Sequence, residues 1–343
     1  TLRFLATFWS TSDCLASVQG LCIVVAGTVF CVNGSLTTGA LIAFIFYNTM
    51  LSWPVRQLGR IISNMSKAGV SLGRIAEILN GEEEVYGEKL PLSGDVEFKD
   101  VSFEYEEGKP VLKDISFRIP EGSVVGILGG TGSGKSTLTY LLDGLYAPTK
   151  GEIYVGGKPI SEISPATLRS NIGLMLQEGY VYSGTVGENI ALAVDNATEE
   201  EIKNSAKMAC VDGNIEGFAN GYETVVGERG VTLSGGQKQR VCIARTLLRN
   251  TPYLIFDDSL SAVDSDTDAA IRKNLNEKFK GATVIIISHR INTVMHADNI
   301  LVLDGGKIAE SGTHAQLLKK GGIYRRIYDM QFELPEELKE AKL

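Results

Sequence analysis

Val124-Val125-Gly126-Ile127-Leu128-Gly129-Gly130-Thr131-Gly132-Ser133-Gly134-Lys135-Ser136-Thr137 is the stretch that decides the fold. Its first five residues are a near-continuous apolar run, which suits a strand covered on both faces. Leu138-Thr139-Tyr140-Leu141-Leu142 follows with helical character. The join reads GxxxxGK[ST], the strand–loop–helix spacing of a phosphate-binding loop. Its glycines let backbone N–H groups curl around phosphate oxygens, and the positive end of the following helix dipole points at the same place. Gly130, Thr131, Gly132, Ser133, Gly134, Lys135, Ser136 and Thr137 are therefore candidate nucleotide ligands. Lys135 supplies a point charge and Ser136 a hydroxyl for Mg²⁺.

Working outward, short β-branched runs alternate with helical segments. Ile172 to Leu176, Tyr253 to Phe256 and Val284 to Ile287 read as further strands of a parallel sheet. Val96 to Tyr105 and Ile115 to Ile119 alternate like an antiparallel patch. Ile300 to Leu303, the turn Asp304-Gly305-Gly306 and Lys307 to Ala309 read as a closing hairpin. This is an α/β domain. The run ending at Phe256 leads into Asp257-Asp258. An acidic pair after a strand is ordinarily a helix cap or a solvated loop. Beside a phosphate loop, a carboxylate at the C-terminal end of a buried strand can bind Mg²⁺, and Asp257 is assigned that role.

Upstream the physics changes. No Lys or Arg lies between Arg3 and Arg56. Cys14 to Val32 and Leu36 to Trp53 are two uncharged apolar runs, close to the ~20 residues a bilayer span needs. The short connection Asn33 to Gly39 joins them, and Arg56, Arg60, Lys67 and Arg74 follow. The positive-inside tendency puts both ends of this hairpin on the cytoplasmic face. Leu58, Ile61, Ile62, Met65, Leu72, Ile75, Ile78 and Leu79 keep helical spacing past Pro54, so the second helix extends into the cytoplasm, with Pro54 a candidate kink. Asn80-Gly81 ends it. The expected division is 1–80 partial transmembrane domain, 81–93 linker, 94–335 nucleotide-binding domain and 336–343 tail.

The 343 residues suit two domains, and a net charge of -8 argues against a nucleic-acid partner. Cys14, Cys22, Cys31, Cys210 and Cys242 show neither C-x-x-C pairing nor zinc spacing and read as buried reduced thiols. The chain starts at Thr1 with no basic region before its first apolar run. A signal peptide is not expected, and a segment of a longer chain is.

Leu233-Ser234-Gly235-Gly236-Gln237-Lys238-Gln239-Arg240 carries a resemblance that phosphate-loop chemistry alone does not predict. It matches the LSGGQ signature of the ABC transporter family. The resemblance implies an ABC ATPase fold with antiparallel β and helical subdomains, ATP and Mg²⁺ as ligands, and a signature that works in trans. Ser234, Gly235, Gly236 and Gln237 would then meet the γ-phosphate of ATP held by a second half-transporter. Other motifs fall in the family's order. Tyr105 resembles the adenine-stacking aromatic, Gln177 the Q-loop glutamine that reaches Mg²⁺ and the attacking water, and Asp264 in Ser261 to Asp264 the D-loop. His289 resembles the switch histidine on the γ-phosphate, and Gly227 to Gly230 the exporter loop that meets the membrane domain. Residues 1–80 resemble the last two transmembrane helices of a type IV exporter half. A multi-pass membrane location, with the nucleotide domain cytoplasmic, follows from that resemblance.

One position departs from the pattern. The family usually has Glu after the metal-binding Asp, as general base on the hydrolytic water, and this chain has Asp258. Aspartate is one methylene shorter, and a displacement of about 1 Å can cost on the order of 10²-fold in rate. An intact signature with an altered base resembles the weakened-site subunit of heterodimeric exporters. The expected function is ATP hydrolysis driving export, with Lys135, Gln177, Asp258 and His289 as catalytic residues in a weakened site, and a heterodimer favoured over a slow homodimer. A non-hydrolysing, nucleotide-sensing subunit and a soluble ABC ATPase are the alternatives. The transported substrate is not legible.

Overall fold

The computed structural model describes residues 2–81, 84, 87–227, 233–259, 265–278 and 281–332. They divide into two units, Thr1–Glu83 and Glu84–Leu343.

The first unit is two long helices, Leu2–Val32 and Thr38–Leu79, joined by a short turn. The Thr37 side chain caps the second helix, accepting from the Ala40 N–H at 3.3 Å. Gly27 lets the helices approach: a Cβ there would stand 2.1 Å from Leu41 Cδ1. Gln19 Nε2 donates across the pair to Asn48 Oδ1 at 2.9 Å. The Ser17, Thr28, Thr49 and Ser52 hydroxyls donate to carbonyls one turn back, so these polar groups are satisfied without water. Among the described residues one helical segment, Ser10–Val32, is both long and apolar enough to cross a bilayer, with mean hydropathy 2.2. The other expected span lies inside Thr38–Leu79 and does not reach the same measure; Tyr47, Asn48, Thr49 and Ser52 dilute it. The helix continues through Pro54 and ends at Leu79, with Asn80 as its cap.

Among its described residues the second unit contains twelve strands. They are β1 (Val96–Glu104), β2 (Pro110–Ile119), β3 (Val124–Gly129), β4 (Lys150–Val155), β5 (Lys158–Pro159), β6 (Ile172–Met175), β7 (Gly184–Thr185), β8 (Val225–Val226), β9 (Tyr253–Asp257), β10 (Thr283–Ser288), β11 (Asn299–Asp304) and β12 (Lys307–Gly312). Six form a sheet in the order β12-β11-β3-β10-β9-β6. It is parallel apart from the hairpin strand β12. An antiparallel sheet, β2-β1-β4-β5, covers it. The strands β7 and β8 pair by themselves.

The apolar runs work as the sequence suggested, because successive residues enter two different cores. Val284 and Ile286 pack on one face with Phe256, Ile243 and Val302. Ile285 and Ile287 pack on the other with Val125, Ile127, Leu138 and the antiparallel sheet. Burying both faces of a central strand favours continuous apolar sequence over alternation. The strand expected at Ile115 begins earlier, at Pro110. Asp114 adopts a left-handed φ of 51° and β1–β2 pairing shifts register between Val101 and Phe103. Buried Leu112 and Ile115 are therefore three apart and hide the two-residue alternation.

Between β6 and β9 lies a mainly helical layer, including Val186–Ala191, Glu199–Met208 and Gly235–Leu248. Each of these helices opens with a capping box, Thr185/Glu188, Thr198/Glu201 and Ser234/Gln237. No disulfide joins the cysteines. The expectation that all are buried is corrected: Cys242 is buried, whereas Cys14 and Cys22 are exposed on the first long helix, whose apolar side chains face outward.

Candidate nucleotide site

Strand register assembles the site. Ile287 of β10 pairs with Asp257 of β9 on one side and with Ile127 of β3 on the other. The carboxyl ends of three parallel strands therefore lie side by side, the place where open α/β sheets bind ligands. Gly129 ends β3, Asp257 ends β9, and His289 follows β10.

The loop after β3 is tightly fixed below and open above. A Cβ at Gly129 would stand 2.6 Å from the Leu303 carbonyl oxygen, and one at Gly134 would stand 2.6 Å from Leu112 Cδ2. Gly134 also holds φ at 99°, a left-handed conformation that favours glycine. Gly130 and Gly132 face open space: nothing lies within 4 Å of where their Cβ atoms would be. Gly134 precedes the helix Lys135–Leu142 with no side-chain cap, leaving the first-turn N–H groups for an anion. The Ser133 hydroxyl is buried without a partner in this loop, as a group awaiting a ligand would be.

Lys135 is only 9% exposed. Its ammonium donates to the Gly129 carbonyl at 2.9 Å and the Gly130 carbonyl at 2.8 Å. Burial pushes its pKa below the usual lysine value, and the Asp258 and Asp257 carboxylates oppose that shift. Asp257 is buried, which raises its pKa; a hydrogen bond from the Ser136 hydroxyl acts the other way, the neighbouring Asp258 charge raises it further and Lys135 lowers it. Ser136 and Asp257 thus place two hard oxygens together beside the phosphate loop. They fit Mg²⁺, which characteristically takes one or two protein oxygens and completes its shell with phosphate and water. Among the described residues no cluster of three or more His, Cys, Asp or Glu side chains offers a closed metal cage.

Asp258 sits one residue on, with φ 46°, and its N–H donates to the Ile287 carbonyl at 2.9 Å. Its carboxylate oxygens lie 3.0 and 3.2 Å from His289 Nδ1, and Ser288 Oγ donates to it at 3.3 Å. Asp258 after β9 and Ser288 and His289 at the end of β10 are therefore tied into one cluster. His289 keeps its other ring nitrogen away from this contact, with the side chain 53% exposed.

Tyr105 is half-exposed at the end of β1, and its hydroxyl lies 3.2 Å from Thr137 Oγ1. Phe103 and Tyr146 both meet its ring at near right angles, with centroids 4.8 and 5.2 Å away. Tyr146 belongs to this aromatic group although nothing in its sequence context marked it. Gln177 is exposed just beyond β6. Ser234 and Gln237 lie elsewhere, at the start of Gly235–Leu248, where they cap each other: Ser234 N–H donates to Gln237 Oε1 at 2.9 Å and Gln237 N–H to Ser234 Oγ at 3.3 Å. Gly235 has open space around it, and Gly236 begins the same helix. Asp264 and the rest of Ser261 to Asp264 lie outside the described residues, as do Glu228 to Gly230 and the tail from 336.

A glycine loop between a buried strand and a helix, flanked by a strand-end carboxylate, defines a P-loop nucleotide-binding domain. Residues 112–261 match the ABC transporter family model, so this stretch carries an ABC transporter domain. It is 42% identical over 337 residues to the uncharacterised ABC transporter ATP-binding protein YknU of Bacillus subtilis, covering 95% of this chain and 58% of that protein. It is 44% identical to a probable multidrug resistance ABC transporter ATP-binding/permease protein, YheI, of the same organism, covering 89% of this chain and 53% of YheI. The alpha-hemolysin translocation ATP-binding protein HlyB of Escherichia coli is 38% identical, with 89% of this chain and 44% of HlyB covered. A solved bacterial Atm1-family ABC exporter with ATP bound superposes with a TM-score of 0.76 at 32% identity, covering 96% of this chain and 59% of that one. The chain thus spans roughly half the length of the relatives it matches.

Proposed function

We propose that this chain binds and hydrolyses Mg²⁺-ATP as part of an ABC exporter subunit in a membrane, with a weakened catalytic site. The observation that carries the proposal is the meeting of the open Gly130–Gly134 loop, Lys135 and the Ser136–Asp257 pair at one sheet edge. The likeness to exporter ATP-binding/permease proteins and to an exporter solved with ATP supports the coupling to transport.

In this reading the loop N–H groups and Lys135 hold the β- and γ-phosphates, exchanging the Gly129 and Gly130 carbonyls for phosphate oxygens. Ser136 and Asp257 would hold Mg²⁺, which would supply positive charge against the phosphates. Tyr105 offers its ring to adenine while its hydroxyl steadies Thr137. The family resemblance gives Gln177, just beyond β6, the metal and the attacking water, and gives Asp264, outside the described residues, the D-loop role. Asp258 accepts a proton from the attacking water, and its short side chain makes that step slow. Ser234 to Gln237 serve a partner's ATP, for which the Ser234–Gln237 capping pair orients the helix N-terminus. The partner is a second half-transporter, in a heterodimer where the intact signature completes the stronger site.

One observation favours a second reading, nucleotide sensing without hydrolysis. The Asp258 carboxylate is already engaged by His289 and Ser288. Turnover by the assembled pair separates the two: Asp258→Ala lowers hydrolysis if Asp258 is the base and leaves it unchanged if the site only senses. For the main proposal, labelled ATP is expected to stay with the membrane-embedded protein only when Mg²⁺ is present. Lys135→Ala should lose at least ~100-fold in retention, about 3 kcal/mol. Equal retention in that variant would end the proposal.

A further inference from the structure

We propose that Thr167, Arg169 and Asn171 are positioning residues. They hold the segment of chain that follows the long helix against the short helix Pro165–Asn171, which receives the ends of both nucleotide-facing helices. This rests on the nucleotide reading above and deepens it by naming how the site is tied to the incoming chain.

The strap is Glu84 together with residues 87–92, beginning five residues after the helix ends at Leu79. It runs along one short helix, Pro165–Asn171. Ser164 Oγ donates to the Glu88 carbonyl at 2.8 Å, and Thr167 Oγ1 donates to it at 2.5 Å while accepting from Leu90 N–H at 3.0 Å. Asn171 takes the next turn of the strap with both halves of its carboxamide. Its Nδ2 donates to the Leu90 carbonyl at 2.7 Å and its Oδ1 accepts from Leu92 N–H at 3.0 Å. Arg169 grips Glu84 with two bonds of 2.7 Å. Gly87, with φ 66°, lies so close that a Cβ would stand 2.5 Å from Ser164 Cβ.

Thr167 and Asn171 are 3% and 7% exposed, so two buried polar side chains on a seven-residue helix are given over to backbone groups of the strap. A surface linker does not need that, because water satisfies its backbone. Their burial fixes the strap in one register.

The same short helix receives the ends of the two helices that face nucleotide. Arg249 caps Gly235–Leu248, the helix that starts at the signature, and donates to the Arg169 and Ile172 carbonyls. Asp143 caps Lys135–Leu142, the helix that starts at the phosphate loop, and its charge faces Arg169 and Arg249. Gly144 next to it packs closely on Leu168: a Cβ would stand 2.8 Å from Leu168 Cδ2. The short helix then runs directly into β6, and Gln177 follows two residues after that strand. Displacing the strap therefore moves one body that touches the phosphate-loop helix, the signature helix and the path to Gln177. A packed connection of this kind has few arrangements and transmits displacement instead of absorbing it.

The test uses the full-length protein with its partner in lipid vesicles, measuring ATP turnover, KM and labelled-ATP retention. Glu84→Gln and Arg169→Gln are each expected to lower kcat about 5-fold with KM changed less than about 2-fold, and the exchange Glu84→Arg with Arg169→Glu to recover at least about half of the loss. Glu84 is exposed, so its variant tests the strap without endangering the fold. Unchanged kcat in Glu84→Gln, or an exchanged pair no better than the single variants, would overturn the proposal. A parallel loss of kcat and thermal stability in Glu84→Gln would overturn it too, by making the contact merely structural. Wild-type protein that retains no labelled ATP would instead overturn the nucleotide reading, so the two failures are distinguishable.

Discussion

The two sides of the nucleotide site are built differently. On the β3 side, Gly129 to Gly134 present mostly backbone, and positions are set by close packing against Leu303 and Leu112. On the β9–β10 side, Asp258, Ser288 and His289 present side chains that hold one another. This backbone cradle has no room for an added atom at Gly129 or Gly134, but it does not depend on side-chain length. A side-chain cluster depends on length at every member. A change of side-chain length at 258 is therefore one this site would feel on its second side and not on its first.

The sharpest way to break this contrast is Gly134→Ala. The added methyl meets Leu112 at 2.6 Å at a φ of 99°, and ATP affinity should fall about 100-fold, or about 2.7 kcal/mol, with overall folding preserved by calorimetry. Affinity near wild type would show that the cradle is more forgiving than its packing suggests. Asp258→Glu probes the other side: single-turnover hydrolysis should rise about 10- to 100-fold with little change in ATP affinity. A fall would mean that the His289–Asp258 pairing, and not the reach to water, limits the site. Tyr105→Ala removes a ring held by Phe103 and Tyr146 and should weaken ATP binding about 10-fold by fluorescence titration, within the range of base–aromatic stacking.

The smallest effect belongs to Asp143, at the far end of the phosphate-loop helix. Burial lifts its pKa to about 6, against the pull of Arg169 and Arg249. A carboxyl whose folded pKa is raised adds stability that is complete below its ordinary value near 4 and is lost as pH rises through about 6. Asp143→Asn should remove that slope. Between pH 7.5 and 5 the wild type should gain on the variant by roughly 1–3 kcal/mol in chemical denaturation. Parallel pH profiles would show that partial burial does not raise the Asp143 carboxyl.

Legibility in the sequence follows the same division. The parallel strands were readable because both faces are buried, so Val284 to Ile287 and Tyr253 to Phe256 stay apolar throughout. The phosphate loop was readable because its glycines and Lys135 are required at fixed spacing. Tyr146 was not, since it reaches Tyr105 across some forty residues of chain and no periodicity links them. The early start of β2 was hidden by Asp114, whose left-handed turn breaks the alternation. The roles of Thr167 and Asn171 were also hidden, because their partners are backbone groups of residues 88–92, and backbone partners leave no mark on residue identity. The apolar run Leu36 to Trp53 gave a helix but a less apolar one than its length implied, because Asn48 serves the helix pair and Thr49 and Ser52 bond carbonyls of their own helix.

Lys135 gives the loop a consequence of its own. Its ammonium bridges the Gly129 and Gly130 carbonyls, so the ring of backbone is closed by an internal guest before any outside one arrives. Occupancy then proceeds as a swap of one set of oxygens for another around a cation that stays put.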